Sequence, residues 1–294
     1  MSEEILMGWA QARADRGRPI GATTLKNARF VWLDLCHFLE RRGRTPVTCT
    51  SSDIAVWAAS ERPRKDTSTR RYLLFLRKVF NYLIHVKRRT DNPVDHVLPR
   101  YPAPVRGLPD ALTEFHDIRL QQSLKGELDT GSWRDVRNRA IAALLHATGI
   151  GPDEAVALRL SDVVFDADPP FVNVPGTHER QARMIALTEL AEARVVEWAQ
   201  LRMAMAIPGV AFFVANTGGR GIERTTVYRA VKKIFGDDFR QPGVNNPRAL
   251  RATFAVRQLA SQVPMAEVKE WMGNRTEESL LGYKQLTKTL RRPH

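Results

Sequence analysis

The chain has only two cysteines, Cys36 and Cys49, in 294 residues. Neither stands in paired Cys/His spacing, which excludes a disulfide framework and a zinc motif and points to a reduced, cytoplasmic setting. No apolar run approaches the roughly 18–20 residues that cross a bilayer, so no membrane partner is expected. The opening Met1-Ser2-Glu3-Glu4 is acidic and lacks the basic-then-apolar layout of a secretory leader. Internal repeats and low-complexity tracts are missing as well. The most telling shortage is of acidic charge: 45 Lys and Arg face 32 Asp and Glu, a formal net charge of +13. Residues 1–104 alone hold 19 Lys and Arg against 10 Asp and Glu. Such an excess favours a polyanion through phosphate neutralisation and counterion release. An apolar content of 43% supplies material for one large core or two ordinary ones.

The first hundred residues read as helices. Thr23 or Thr24 can cap a segment in which Phe30, Trp32, Leu33, Leu35, Phe38 and Leu39 recur at helical spacing, ending near Gly43. Thr50-Ser51-Ser52-Asp53 starts a short helix through Ile54, Val56 and Trp57. Ser68-Thr69 opens the strongest one, with Tyr72, Leu73, Leu76, Val79, Phe80 and Leu83 as an apolar stripe. Arg70, Arg71, Arg77 and Lys78 lie largely off that stripe, and Lys87, Arg88 and Arg89 extend the basic surface at the helix end. These seven cations are candidate DNA-phosphate contacts; the plain alternative is a solvated basic face. Asp91-Asn92-Pro93 stops the helix, and Pro99, Pro102, Pro104 and Pro109 suggest an extended linker. The expected organisation is an N-terminal helical domain over 1–103, a Pro-rich linker over 104–110, and a second domain over 111–294.

Beyond the linker, Arg137 to Thr148 makes a helix with Ile141, Leu144 and Leu145 on one face. Gly149-Ile150-Gly151 leads to Pro152, which suits a first helical turn, with Asp153 and Glu154 at its positive end. That helix is expected to run through Val156 and Leu158 to Leu160-Ser161-Asp162. A β-hairpin follows, Phe171 to Val174 and Met184 to Leu187 around a turn containing Pro175-Gly176. The remainder reads as helical, with a glycine-rich turn at Gly218-Gly219-Arg220-Gly221. Near the end stand Arg248-Ala249-Leu250-Arg251-Ala252-Thr253-Phe254-Ala255, then Trp271-Met272-Gly273-Asn274, then Tyr283.

In order and spacing these segments resemble the tyrosine recombinases, the phage-integrase family. Ser68-Thr69-Arg70-Arg71, Asp91-Asn92-Pro93, Thr148-Gly149-Ile150 with Glu154, and the C-terminal segment carry the resemblance. It implies a mainly α fold: a helical SAM-like core-binding domain, then a catalytic-type domain of helices with a small antiparallel sheet. The two together would clamp duplex DNA. In the family's reaction a tyrosine attacks a backbone phosphorus, and two arginines bind the charged transition state. A hairpin lysine protonates the leaving oxygen, and histidines assist. Neither metal nor cofactor is implied.

Residue by residue, the resemblance places Tyr283 as the nucleophile and Arg251 as the second arginine. Gly151 falls where the first arginine is expected, Arg248 where the first histidine is, and Asn274 where the second is. No lysine occurs between Lys125 and Lys232, so the hairpin offers only His178, Arg180 and Arg183. An arginine is a poor proton donor at neutral pH. His178 can donate, or can simply be solvated. Arg248, three residues before Arg251, can supply a phosphate bond or contact DNA or solvent. Tyr283 can act as nucleophile, anchor a phosphate, or pack. Gly151 can begin a helix and offer its backbone N–H to a phosphate.

Two functional readings remain. One is a cleavage-deficient DNA-binding member, accessory or regulatory to recombination on a mobile element and nucleoid-associated. The other is an atypical recombinase forming a 3′-phosphotyrosyl bond through Tyr283. Double-stranded DNA is the expected partner, with an active recombinase encoded nearby as a second candidate. A homo- or hetero-oligomer on DNA stays open, because only Lys284 to His294 follow Tyr283. A conventional transcription factor would not require the hairpin, the linker and Tyr283 in this order.

Overall fold

The computed structural model describes residues 2–60, 66–103, 107–126, 132–176, 180–236 and 244–290. The chain divides into two compact units, Met1–Arg106 and Gly107–His294. It is mainly helical, and among the described residues the sheet has three strands.

In the first unit, α1 (Ser2–Ala14), α2 (Ala22–Glu40), α3 (Ser51–Ala59) and α4 (Asp66–His85) enclose one core. The α4 stripe behaves as its spacing predicts, with Leu73, Leu76, Val79, Phe80 and Leu83 fully buried against Trp32, Leu35, Leu39 and Trp57. Trp32 meets Phe80 edge-on at 6.1 Å. Thr50 caps α3 reciprocally: its Oγ1 accepts from the Asp53 N–H at 3.3 Å, and Asp53 Oδ2 accepts from the Thr50 N–H at 2.9 Å. Asn92 ties the chain after α4 back onto that helix, donating to the Arg77 carbonyl at 3.0 Å and to Asn81 Oδ1 at 2.6 Å. Two features differ from expectation. Helix α1 has no counterpart in the sequence pattern; it buries only Ile5, Leu6 and Trp9, too few positions for a periodic signal. Helix α2 starts at Ala22 after Gly21, so Thr23 and Thr24 lie inside its first turn instead of capping it.

In the second unit, α5 (Glu114–Lys125), α6 (Trp133–Thr148) and α7 (Pro152–Ala157) precede a sheet of β1 (Val163–Val164), β2 (Phe171–Val174) and β3 (Arg183–Ala186). The strands run antiparallel in the order β1-β2-β3, with Phe171 opposite Ala186 and Val174 opposite Arg183. Helices α8 (Glu189–Ala204), α9 (Arg224–Phe235), α10 (Pro247–Ala260), α11 (Met265–Trp271) and α12 (Leu281–Leu290) complete it. Helix α6 is central and buried from Arg137 to Thr148, on all faces and not one. Its buried cations are matched by carbonyls, Arg137 Nη1 donating to Val214 O at 2.7 Å and Arg139 Nη2 to Ser123 O at 2.7 Å.

Helix α7 is shorter than its sequence suggests. Leu158 is already extended, because Leu160 N donates to Val210 O at 2.9 Å and Phe212 N to Leu158 O at 2.8 Å. This pairing with residues some fifty positions away stops the helix. A 3-10 turn at Leu160–Asp162 then leads into β1.

Candidate phosphate-binding site

Four short segments of the second unit meet around Arg251. Asn246 opens α10, its Oδ1 accepting from the Arg248 and Ala249 N–H groups at 2.9 and 3.2 Å, with Pro247 in the first turn. This start sets Arg251 on the buried side of α10, against the end of α6. Gly149 ends α6 in the left-handed conformation, φ 63°. A Cβ there would stand 2.9 Å from Phe254 Cγ, so the glycine serves both the turn and the close packing of α10. The freed Gly149 carbonyl accepts from Arg251 Nη1. Arg251 Nη2 donates to the Met272 carbonyl at 2.7 Å and to Asn274 Oδ1 at 2.9 Å. Asn274 therefore holds the Arg251 guanidinium in place. Gly273, at φ 64°, turns the chain between α11 and Asn274.

The centre of the site is a carboxylate. Glu154, fully buried, accepts from the Gly151 N–H at 2.6 Å, from Arg180 Nη1 at 2.6 Å and from Arg183 Nη1 at 2.6 Å. Arg251 Nη1 lies 3.9 Å from the same carboxylate. Burial alone would raise the Glu154 carboxyl. The Arg183 hydrogen bond and charge, the Gly151 N–H and the Arg180 charge outweigh it and hold the group below the usual carboxylate range. The Arg251 guanidinium is lowered to about 10, chiefly by burial and then by the neighbouring Arg180 and Arg183 charges, with Glu154 opposing them. At neutral pH Glu154 is therefore an anion and Arg251 a cation.

Arg180 and Arg183 sit at the β3 end of the hairpin, and each occupies room left by a glycine. A Cβ at Gly151 would overlap Arg180 Nη1 and stand 3.0 Å from its Cζ. A Cβ at Gly273 would stand 2.5 Å from Arg183 Nη1. Arg183 Nε also donates to the Trp271 carbonyl at 2.6 Å, and the Gln181 N–H to the Gly273 carbonyl at 3.3 Å. The hairpin is thereby fastened to α7 and α11. His178 lies outside the described residues.

Tyr283 and Arg248 meet at a cleft of about 510 Å³ lined also by Tyr228, Asn246, Ala252 and Asp110. Tyr283, half-buried on α12, packs beside Phe254, Met272 and Leu280. Arg248 is exposed, whereas Arg251 is buried among its acceptors, so the two guanidiniums do not share one environment.

In the first unit, Arg71, Arg77 and Lys78 are exposed on α4, and Arg70 donates to the Tyr101 carbonyl. At 100° per residue these four cover about 120° of the helix, centred near the partly exposed Leu74. Arg77 is paired with Asp95 at 2.6 Å. Lys87 and Arg88 are exposed beyond the helix end. Arg89 differs. Its side chain is 5% exposed, and Nη1 donates to the carbonyls of Pro46, Val47 and Cys49 at 2.9, 2.9 and 3.0 Å. It lies over the Phe80 ring, 5.5 Å from its centroid. Arg89 closes the core of the unit and is not presented to a partner.

Sequence reasoning missed two assemblies. Glu154 is legible in the sequence only as a helix-start charge, because its partners come from residues 180, 183 and 251. The second assembly joins α5, α6 and α10: His146 Nε2 lies 2.5 Å from Asp117 Oδ1 and 2.9 Å from Arg257 Nη1. Arg257 Nη2 also donates to the His146 carbonyl at 3.0 Å. No local spacing links positions 117, 146 and 257. Among the described residues no cluster of three His, Cys, Asp or Glu is placed to hold a metal ion. None of the described helices is long and apolar enough to cross a membrane.

Comparison with known proteins matches residues 118–289 to the model of the phage integrase family. The tyrosine recombinase XerD of Listeria monocytogenes serotype 4b (strain F2365) is 26% identical over 281 residues, covering 92% of this chain and 90% of that protein. The tyrosine recombinase XerD of Halalkalibacterium halodurans is 28% identical over 239 residues, covering 78% and 74%. Among solved structures, the XerH site-specific recombinase bound to its difH substrate in a pre-cleavage complex superposes with a TM-score of 0.72 at 16% identity, covering 99% of this chain and 84% of that one. A lambda integrase dimer bound to a COC′ core site gives 0.69 at 17% identity, covering 99% and 79%.

Proposed function

Because the chain belongs to the phage integrase family of tyrosine recombinases, we propose that it binds double-stranded DNA in site-specific recombination as a cleavage-deficient accessory or regulatory member. One observation carries the reading. The pocket around Arg251 gathers fixed cations suited to a phosphate, while the carboxylate beside them, Glu154, is held as an anion by those same cations. Arg180 and Arg183 bind charge well but are poor proton donors near neutral pH. Asn274 orients Arg251 and cannot transfer a proton. The exposed cations of α4 supply the non-specific part of DNA affinity. Cytoplasmic, nucleoid-associated placement and cooperation with a recombinase encoded nearby belong to the same proposal.

A second reading, cleavage through Tyr283, is favoured by one feature: the tyrosine lines the same cleft as Arg248. A nicked duplex, carrying a site selected from random sequence by the protein itself, separates the two. Incubated alone, the chain is expected to give no covalent adduct. An adduct that disappears in Tyr283→Phe would replace the first reading with the second.

A further inference from the structure

In the first unit, the N-terminal halves of α2 and α4 border a cleft of about 310 Å³, in the size range of small-ligand sites. Ala28 contributes only a methyl group to its lining, and Phe30, Tyr72 and Phe75 supply aromatic rings. Phe75 is braced from α1, where Trp9 meets it edge-on at 5.4 Å. Phe30 is 60% exposed, so its ring stands largely outside the core. A single exposed phenylalanine is ordinary. Here it shares a cleft with two further rings and with two exposed polar side chains, Asn27 and Arg71. The Arg71 guanidinium lies over the Tyr72 ring, 5.7 Å from its centroid. These groups converge on one kind of guest. Aromatic rings take a flat heterocycle by stacking, an amide pairs with the donor and acceptor edge of a base, and a guanidinium holds the phosphate of the same nucleotide. A purely apolar guest would gain nothing from Asn27 and Arg71, and a simple anion would not need the rings.

We propose that this cleft binds a nucleobase held out of the helical stack, with Phe30 as the stacking platform, Asn27 on the base edge and Arg71 on the phosphate. The choice of DNA as the source of the base rests on the DNA-binding reading above. The site belongs to the first unit and recognises a different part of the nucleotide from the arginine pocket of the second. Its stacking contribution removes no counterions, so it persists in salt that screens the exposed cations of α4.

Binding of labelled duplexes to the full chain, followed by fluorescence anisotropy across salt concentration, tests this. One duplex is fully paired, a second carries a single bulged adenine, whose base is already unpaired and costs least to extrude, and a third carries an abasic bulge. The wild type is expected to bind the adenine bulge about tenfold more tightly than the paired duplex. The abasic bulge, which keeps the phosphates and lacks the base, should bind like the paired one. Phe30→Ala should abolish the preference and leave the log–log salt slope at its wild-type value, because no charge is removed. Phe30→Trp should retain the preference, and Asn27→Ala should reduce it about threefold. Phe30 and Asn27 are both exposed, so these variants are expected to fold, which thermal melting checks. A preference that is absent, that the abasic bulge shares or that Phe30→Ala retains would overturn the proposal and leave the DNA-binding reading standing. If no duplex bound while the wild type, and not Phe30→Ala, still captured 2-aminopurine mononucleotide, the base pocket would stand and the DNA-binding reading would fall. Loss of a wild-type oligomer in Phe30→Ala, with the bulge preference unaltered, would make the cleft a contact between copies of the chain and would also overturn the proposal.

Discussion

On α4, Arg71 and Lys78 stand in solvent, and the neighbouring Arg77 is held by one exposed pair with Asp95. Around Glu154, Arg183 and Arg251 are buried, and they donate to fixed backbone carbonyls, an amide oxygen and the carboxylate. Both regions are basic, but they hold their charge differently. An exposed cation on a flexible stem adds affinity that salt screens, and it adapts to any phosphate within reach. A guanidinium locked by carbonyls has lost its rotamer freedom during folding and presents charge at one point. The first arrangement suits general attraction to DNA, and the second suits the registration of a single phosphate. Arg89 shows that basic sequence does not decide which arrangement results. It is neighbour to Arg88 in the chain, yet it is buried and structural.

The comparison breaks most visibly at Glu154. If this carboxylate neutralises a buried arginine cluster, Glu154→Ala should destabilise the second unit by about 4 kcal/mol, in the range for removing one partner of a buried ion pair. Urea denaturation followed by tryptophan fluorescence measures this, and a change under about 1 kcal/mol would mean the arginines do not depend on it. The pH dependence has a definite sign. The Glu154 carboxyl lies below its ordinary value of 4.5 in the folded chain. Its contribution is therefore complete above about pH 4.5 and lost as pH falls through the folded value. Glu154→Gln should flatten that part of the acid limb.

Arg89→Ala comes next. Three carbonyls and a ring face would lose a charged donor, and the first unit should lose about 3 kcal/mol. Its salt slope for duplex binding should stay at the wild-type value. Arg88→Ala should do the reverse, leaving stability within about 0.5 kcal/mol and making the slope shallower. Equal behaviour of the two variants would erase the distinction between buried and exposed arginines.

That pair of residues also marks how far the sequence could be read. The α4 stripe, the Thr50–Asp53 cap and the β2–β3 hairpin were legible, because each rests on local spacing. Arg89 was not. Lys87 adopts φ 57° just past α4, and the turn carries Arg89 back to Pro46–Cys49, a reversal that a run of three cations does not reveal. Helix α7 ends early for the same kind of reason, since its stop is imposed by pairing with Val210 and Phe212. Glu154 is the largest omission. Its role needs Arg180 and Arg183 from the hairpin, and their access needs glycines at 151 and 273. A glycine reads as a turn or helix entry when its sequence neighbours are all one sees. That it makes room for a side chain from elsewhere becomes visible only in three dimensions.

A smaller effect sharpens the α4 side. Neutralising Arg71 and Lys78 together, as Arg71→Gln with Lys78→Gln, should leave stability within about 0.5 kcal/mol. If both contact phosphates, the log–log salt slope of duplex binding should fall by about 1.8. A slope unchanged in this double variant would remove α4 from the interface and shift the phosphate contacts to the Glu154 cluster.

The smallest expected change concerns Asp95. Its pairing with Arg77 joins two side chains that are each nearly half exposed, 45% and 48%. Such a pair contributes about 0–1 kcal/mol to stability, so Asp95→Ala should barely move the denaturation midpoint. Its effect on DNA should be the opposite of the Gln substitutions. Removing a carboxylate releases Arg77 and deletes a repulsive charge beside the basic face, so affinity should rise at about 0.1 M salt and the slope steepen by no more than about 0.9. An analogous deletion at Glu154 would unfold or loosen its unit, because there one anion is shared by three buried or half-buried cations. The same chemical change, carboxylate to methyl, thus separates a surface whose charges act independently from a site whose charges exist only together.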